Sequence, residues 1–448
     1  MINNFFPEII ISTYLVTSIV SKRCHNLLKK ETNVSLLLFL ALMSCFCGGD
    51  APDNYLFECK YYESLLKAVT LLAAMAALRC VHAIDDGKRS LLMLSLLGAL
   101  TMFSCNNFIS FYISAELMTV PLYFLPERNL RNHSFFIYNI SFSCVFTAAA
   151  LMICWSTGFT KFNDVRYALS FFSKHNQFIL FAAVLMLLSI CMKLGLSLGH
   201  SYIFDVLADK NMFAALCLGR ISTIIGAYKV LAAVLYYVDL STIIAILAGI
   251  LILHGCIFMN GCSDLKKLVA HIYIWHSGML LLGSACRNYS AIGGVLFIGL
   301  SDLMFMLGAL FFLTSIKKNR EPLKNIMDFR FLSSRNTGVA VAISLLIASS
   351  LGLLPLIGLG GKIYLGMALI EKKLYVAALI VAFSLLMGTI FTAKILDIFW
   401  FRKFHEQESV FFAIDGRWIL LAPYIMLAAI PLAIKISSLL ELELYFMR

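Results

Sequence analysis

Two lysines stand where a membrane-spanning helix has no ordinary use for one. Lys193 lies in Ser189-Ile-Cys-Met-Lys193-Leu-Gly195-Leu-Ser-Leu-Gly199-His200, at the close of an apolar run that begins near Phe178. Lys362 lies in Pro355-Leu-Ile-Gly358-Leu-Gly-Gly361-Lys362-Ile-Tyr364, inside another apolar run. An ammonium at mid-bilayer costs roughly 2.5–3.5 kcal/mol even on forgiving insertion scales, so it persists where it is paired, hydrated or used. The glycines beside each lysine loosen the helix. A charge at a soft point in a membrane helix is the arrangement expected of an ion path through a broken helix. The competing reading is a lysine whose stem carries its head to a nearby interface.

Other titratable residues fall in apolar runs. Glu116 is central in Phe108-Ile-Ser-Phe-Tyr-Ile-Ser-Ala-Glu116-Leu-Met-Thr-Val-Pro121-Leu-Tyr. Beside Lys193 it would give two groups with coupled protonation, which a proton relay requires; the plainer alternative is a static ion pair that locks two helices. His276 lies about three turns into a span that starts at Lys266-Lys267, and imidazole titrates near neutral pH. His254 and His271 add further imidazoles, and His254 is read as a histidine bonded to a neighbouring helix.

These residues need helices to hold them in a bilayer, and the composition supplies them. The chain has 448 residues, 61% hydrophobic and 14% charged, with a mean hydropathy of +0.88. Repeated apolar runs of about 20 residues imply a polytopic all-α membrane protein. Spans are expected near Ile9–Val20, Val34–Cys47, Leu65–Ile84, Leu91–Cys105, Phe108–Leu125, Phe135–Trp155 and Phe178–Leu198. They continue near Asn211–Val238, Leu240–Met259, Lys267–Cys286, Ile292–Ile316, Val339–Ile370, Leu374–Trp400 and Trp418–Ser438. That is about fourteen, of which the first two are short for a 30 Å hydrocarbon core. The opening residues carry no basic n-region, so the first span is read as uncleaved.

Charge in the loops orients the spans. Basic residues collect in alternate loops, at Lys22/Arg23/Lys29/Lys30, Lys88/Arg89, Arg128/Arg131, Lys210, Lys266/Lys267, Lys317–Arg335 and Arg402/Lys403/Arg417. Those loops are expected on the cytoplasmic side and both termini outside. The +11 net charge is thus a topology signal, not a nucleic-acid footprint. No loop is long enough for a soluble catalytic domain, and no phosphate-cradling glycine motif stands in a strand–helix setting. The thirteen cysteines are scattered and form no CxxC, which argues against a metal centre, an iron–sulfur site or a disulfide framework. The two glycine-flanked lysines lie an odd number of spans apart, so they would be related by an inverted-topology repeat.

At these residues the chain resembles the antiporter-like subunits of respiratory complex I, the bacterial NADH–quinone oxidoreductase, and most closely its N-type subunits. Glu116-Leu-Met-Thr-Val-Pro-Leu-Tyr123 resembles the family's fifth-span E-L-M-S-L-P-L-Y. Lys193, His200, Asp205 and Val206 match the spacing of its seventh-span F-K-x(5)-F-H-x(4)-D-V. Asp264-Leu-Lys266-Lys267-Leu-Val-Ala270 followed by His276-Ser-Gly278 resembles the tenth-span motif, and Pro355 to Tyr364 resembles P-L-x-G-F-x-G-K-F-Y in the twelfth. The resemblance covers most of the chain. Asp205-Val206, the lysine at 362 and the opening Phe6-Pro-Glu-Ile favour the N-type over the M-type subunits.

The resemblance implies a fold of about fourteen helices with broken seventh and twelfth spans. Residues 1–90 would form an N-terminal three-helix segment, 91–238 and 240–401 two inverted five-helix repeats, and 402–448 the last helix. It implies that Glu116 pairs with and modulates Lys193, and that Arg220 or Lys229 and then His276 pass the proton to Lys362. Gly195, Gly199, His200, Asp205, Pro355, Gly358 and Gly361 would support the breaks, and Asp264, Lys266 and Lys267 would form a cytoplasmic motif. No cofactor would be bound by this chain; NADH, FMN, iron–sulfur clusters and quinone would belong to partner subunits. The partners would be the M-type subunit and small K- and J-type subunits of the bacterial inner membrane. Several positions depart from the family. Its eighth-span lysine position is Thr223 here, with Arg220 one turn earlier and Lys229 on another face. Leu198 replaces a proline in the seventh-span break, the usual sixth-span lysine is absent, and Asp302 is an acid without a family counterpart.

Overall fold

The computed structural model describes residues 5–20, 38–43, 45, 55–58, 60–80, 85–126, 133–172, 176–194, 201–235, 238–286, 288–318, 321–331, 337–353, 357–401 and 410–412. The expected last span at 418–438, and Gly195, Gly199, His200 and Pro355, lie outside the described residues. The chain divides into two compact units, Met1–Leu240 and Ser241–Arg448.

The first unit is helical. Its elements are α1 (Phe6–Val20), α2 (Tyr61–Cys80), α3 (Asp86–Phe103), α4 (Phe108–Phe124), α5 (His133–Thr157), α6 (Phe162–Leu169), α7 (Gln177–Lys193), α8 (Ser201–Ala208) and α9 (Lys210–Leu235). Residues 38–43 and 45 are also helical. Helix α9 is the centre, in contact with α2, α3, α4, α6, α7 and α8. It can be central because its apolar residues are spread round all its faces and not along one stripe, as a helix buried nearly all round requires. Asn107 starts α4: its side chain accepts from the Ser110 backbone, and the Ser110 hydroxyl receives the Asn107 backbone N–H, a reciprocal capping box. Helix α3 approaches α4 so closely at Gly98 that a Cβ there would stand 2.5 Å from the Met118 nitrogen.

One feature of this unit was not expected. Helix α6 lies between the sixth and seventh spans and buries Phe162, Val165 and Leu169; its eight residues are too few for a span and sit among polar neighbours. Helix α7 ends at Lys193 and α8 begins at Ser201; residues 195–200, where the break is expected, lie outside the described residues.

The second unit contains α10 (Ser241–Gly261), α11 (Leu265–Cys286), α12 (Tyr289–Ser315), β1 (Ile316–Lys318), β2 (Glu321–Pro322), a 3₁₀ turn over Ile326–Phe331, α13 (Thr337–Leu351), α14 (Ile357–Glu371), α15 (Tyr375–Leu396) and β3 (Val410–Phe412). Its centre is α11, packed on α10, α12 and α14. The three short strands form an antiparallel sheet in the order β2-β1-β3, with Ile316 opposite Phe412 and Lys318 opposite Glu321. The sheet departs from a purely helical expectation; β1 and β2 lie at the start of the polar loop near Lys317, and β3 comes from the segment after α15.

The twelfth span is broken by identifiable chemistry. The α13 helix ends in a pair of bonds in which the Leu353 N–H donates to Ala348 (2.9 Å) and the Gly352 N–H to Ser349 (3.2 Å). That is a Schellman cap, and it needs a left-handed residue, which Gly352 supplies at φ +96°. The chain resumes as α14 at Ile357. Gly361 lets α14 lie against α12, since a Cβ there would stand 2.8 Å from the Ile298 nitrogen, and a Cβ at Gly358 would overlap the Ser349 carbonyl. These two glycines thus hold α14 against its neighbours after the break.

Six helices among the described residues are long and apolar enough to cross a membrane: 135–157, 210–235, 241–261, 265–286, 290–314 and 375–401. The outer faces of α5, α10 and α15 display Leu151, Ile250 and Leu379, as lipid-facing helices do. The chain is a multi-pass membrane protein.

Candidate functional site

In the second unit, side chains from three helices gather beside one backbone carbonyl of a fourth, and two of them bond it. His276 of α11, Asp302 of α12 and Lys362 of α14 are each at most 1% exposed. His276 Nδ1 lies 2.7 Å from Asp302 Oδ1, and Nε2 lies 2.9 Å from the Ser350 carbonyl. Lys362 Nζ donates to the same carbonyl at 2.8 Å and sits 3.9 Å above the Trp275 ring. Ser350 belongs to the last turn of α13, whose carbonyls carry the negative end of the helix dipole. A cation over a desolvated indole gains about 2 kcal/mol, and a hydrogen bond to a charged group about 1.5–3 kcal/mol. Together they are of the order of the insertion cost of a lysine.

The protons here can be partly counted. A carbonyl only accepts, so His276 Nε2 carries a hydrogen and donates it to Ser350. The contact between Nδ1 and Asp302 then holds one more hydrogen, resident on the imidazole or on the carboxyl. Either way the pair has no net charge. One transferable proton thus sits in a dry pair that shares an acceptor with the Lys362 ammonium.

In the first unit the expected partners are close but differently joined. Lys193, at the end of α7, donates to the Ala115 carbonyl (3.0 Å) and the Thr119 hydroxyl (3.2 Å), both on α4, and its ammonium lies 4.5 Å from the Phe142 ring centroid. Glu116 turns toward α5, where Asn139 Nδ2 (3.1 Å) and the Ser143 hydroxyl donate to its two oxygens. No direct ion pair joins Glu116 to Lys193, in contrast to the expected contact, although the carboxylate is near enough to act on the ammonium through space. The reason is local: Lys193 finds neutral acceptors one helical step from Glu116, and α5 offers the carboxylate two donors of its own. Glu116→Gln keeps an acceptor for Ser143 or Asn139 and removes only the charge. It is expected to lower proton pumping several-fold in assembled protein, and full pumping by that variant would show that the charge is unused.

Arg220 and Thr223 are both buried in α9, and the Thr223 hydroxyl donates to the Arg220 carbonyl at 2.8 Å. Lys229 is drawn elsewhere. It ion-pairs with Glu63 of α2 at 2.5 Å and donates to the Phe103 and Cys105 carbonyls at the end of α3. Arg220 keeps its proton under any condition a protein meets, so beside Thr223 it can order water and fix a field but cannot carry a proton. Arg220→Ala is expected to impair pumping nearly as much as loss of Lys193, and Arg220→Ala/Thr223→Lys to recover much of it. Normal pumping by Arg220→Ala would remove Arg220 from the account.

The remaining candidates have structural positions. Asp264 caps α11, its Oδ1 accepting from the Lys266 (2.8 Å) and Lys267 (3.2 Å) backbones, while both lysine side chains are exposed. Asp205 lies in α8. His254 and His271 face each other with ring centroids 5.7 Å apart. Sequence reading set Asp302 aside as unmatched and passed over Glu8, Glu63 and Lys67. Their signal was present as ionisable residues in or beside apolar runs. The Ser350 carbonyl had none, because a backbone acceptor is not written in a residue type.

The sequence profile described as "NADH:quinone oxidoreductase/Mrp antiporter, TM" matches residues 105–388. NADH-quinone oxidoreductase subunit N 1 of Rhizobium meliloti is 26% identical over 333 residues, 70% of this chain and 68% of that protein. Subunit N of Parvibaculum lavamentivorans is 24% identical over 433 residues, covering 89% and 88%. Among solved structures, a chain of respiratory complex I from Thermus thermophilus with bound aureothin superposes with a TM-score of 0.78 at 17% identity, covering 95% of this chain and 96% of that one. A chain of the Mrp complex from Dietzia sp. DQ12-45-1b gives 0.75 at 16% identity, covering 90% and 81%. The shared fold and the span of the profile lead to one conclusion: this chain belongs to the NADH:quinone oxidoreductase/Mrp antiporter transmembrane family.

Proposed function

We propose that the chain is a proton-translocating, non-redox membrane-arm subunit of an NADH:quinone oxidoreductase, of the N type. The observation that carries this reading is the buried set of His276, Asp302, Lys362 and the Ser350 carbonyl at a helix break. A structural subunit has no need of a dry, transferable proton beside an ammonium. Lys193, beside the other break, would be the second carrier, with Glu116 modulating it and Arg220 tuning the field. The full chain would have about fourteen spans in two inverted five-helix repeats, residues 91–238 and 240–401, after a three-helix segment and before a last helix at 402–448. Both termini would face outside in the bacterial inner membrane. NADH, FMN, iron–sulfur clusters and quinone would be handled by partner subunits, with M-, K- and J-type subunits as neighbours.

The test is NADH-driven proton uptake by vesicles carrying the complex. Lys193→Ala is expected to assemble and to lose most pumping and coupled turnover. A second reading is favoured by the Mrp structure: a subunit of a multisubunit cation/proton antiporter. Sodium/proton exchange without NADH, from a complex with no redox partners, would establish that reading instead.

A further inference from the structure

The first unit holds a group of charges, three buried and one part-buried, that the relay above does not use. Lys67 of α2 is fully buried and pairs with Glu8 of α1 at 2.6 Å, its ammonium 5.1 Å from the Phe5 ring centroid. One turn earlier on the same face of α2, Glu63 is 1% exposed and pairs with Lys229 of α9. Tyr62 donates to the same Glu63 oxygen at 3.2 Å, and the Lys60 backbone N–H donates to the other. The order Lys229, Glu63, Lys67, Glu8 alternates base and acid across three helices. All four lie at the end of the unit where α1 and α2 begin and α3 and α9 finish.

A static clamp is a poor account of this group. One ion pair would tie α9 to α2, and the Lys229 bonds to the Phe103 and Cys105 carbonyls already cap α3. Keeping a second pair with both partners more than nine-tenths buried costs desolvation that an apolar pair of the same volume would avoid. Alternating acids and bases in a dry setting are what a chain of proton hops requires. The four groups are neutral together, so they can be buried as a set where a single charge could not.

Resting on the proton-translocating reading, we propose that Lys229, Glu63, Lys67 and Glu8 form a proton branch that links the first unit to the membrane surface at this end. The Lys229 ammonium gives one proton to the Glu63 carboxylate, leaving an amine and a carboxylic acid. Lys67 gives its proton to Glu8 and takes the one on Glu63, which restores Lys67 as ammonium and Glu63 as carboxylate. Glu8, now an acid near the start of α1, passes its proton toward the surface through water that must reach its buried carboxyl. Lys229 regains a proton from within the unit, and the set returns to its starting charges. Run in reverse, the same hops bring a proton in.

The test separates transport from clamping with arginine. Lys229→Arg and Lys67→Arg keep the charge, the ion pairs and the bonds to carbonyls, but arginine does not release a proton. Each is measured in the assembled complex in vesicles, as protons taken up per NADH oxidised, read with a pH-sensitive dye. Glu63→Gln, an isosteric change, is measured beside them and decides the matter if an arginine variant assembles poorly. The branch predicts that all three lose at least half of the protons per NADH while the amount of assembled complex is unchanged, and that Glu63→Asp recovers part. Wild-type pumping by Lys229→Arg, or by Glu63→Gln, would overturn it and leave a clamp. Lys193→Ala serves as the control. If it also pumps normally, the proton-translocating reading itself fails; if only the branch variants are silent, the branch alone is wrong.

Discussion

Replacing Lys362 with alanine is expected to reduce proton pumping by about 100-fold, the scale on which a positioned acid–base group acts. Arginine at the same position is expected to rescue none of it. The ammonium sits between the Ser350 carbonyl at the end of α13 and the Trp275 ring. Alanine removes the only lysine at the break and leaves the carbonyl to His276 alone among the described side chains. Arginine restores a cation, a cation–π partner and a donor, and it withholds the one property in question, release of a proton. Assembly should survive both changes, because Gly352 and the packing of Gly361 on α12 form the break without help from the lysine. Proton uptake and the quantity of assembled complex, measured on the same preparations, check both halves of the expectation. An active arginine variant would mean that only a fixed positive charge is needed.

Asp302→Asn is expected to have an effect almost as large. Asparagine can donate its amide hydrogen to His276 Nδ1, so the contact survives in shape. It cannot hold the transferable proton. Nε2 still donates to Ser350, so Nδ1 becomes an acceptor and the imidazole is held neutral. The charge that acts through space on Lys362 is lost as well. Pumping should fall by roughly 10- to 100-fold, within the range for loss of an acid–base group. Asp302→Ala should be worse in a different way, since it leaves a buried imidazole nitrogen without its partner, at about 1–3 kcal/mol of stability. Melting of the assembled complex separates the two: the asparagine variant should melt near the wild type, the alanine variant lower. Wild-type pumping by Asp302→Asn would remove the pair from the mechanism.

The fold was legible where apolar runs are long, because a bilayer permits little except helices. Runs such as 211–238 and 240–259 became α9 and α10 within a few residues. The twelfth-span break was legible from Gly358 and Gly361, and Gly361 proves to give a close approach to α12, but the left-handed cap at Gly352 was not read from the sequence. What sequence could not supply was pairing across helices. Nothing in the spacing of Asp302 and His276, or of Glu63 and Lys229, says that they meet; tertiary packing alone brings them together. The Glu116 contact illustrates the limit. The right neighbourhood was inferred, but the choice of Lys193 for Ala115 and Thr119 depends on how α4 presents its backbone. Helix α6 and the small sheet were missed because short polar segments carry no period long enough to read.

The proposed mechanism has Lys193 and Lys362 carry protons rather than hold a field. Its most direct test is the number of protons translocated per NADH oxidised by the complex bearing Lys193→Arg and Lys362→Arg together, in sealed vesicles. Every positive charge is kept in that variant and neither position can release a proton. The account predicts a complex that assembles normally and moves fewer protons per NADH than the wild type. A wild-type proton count at a wild-type rate would contradict it.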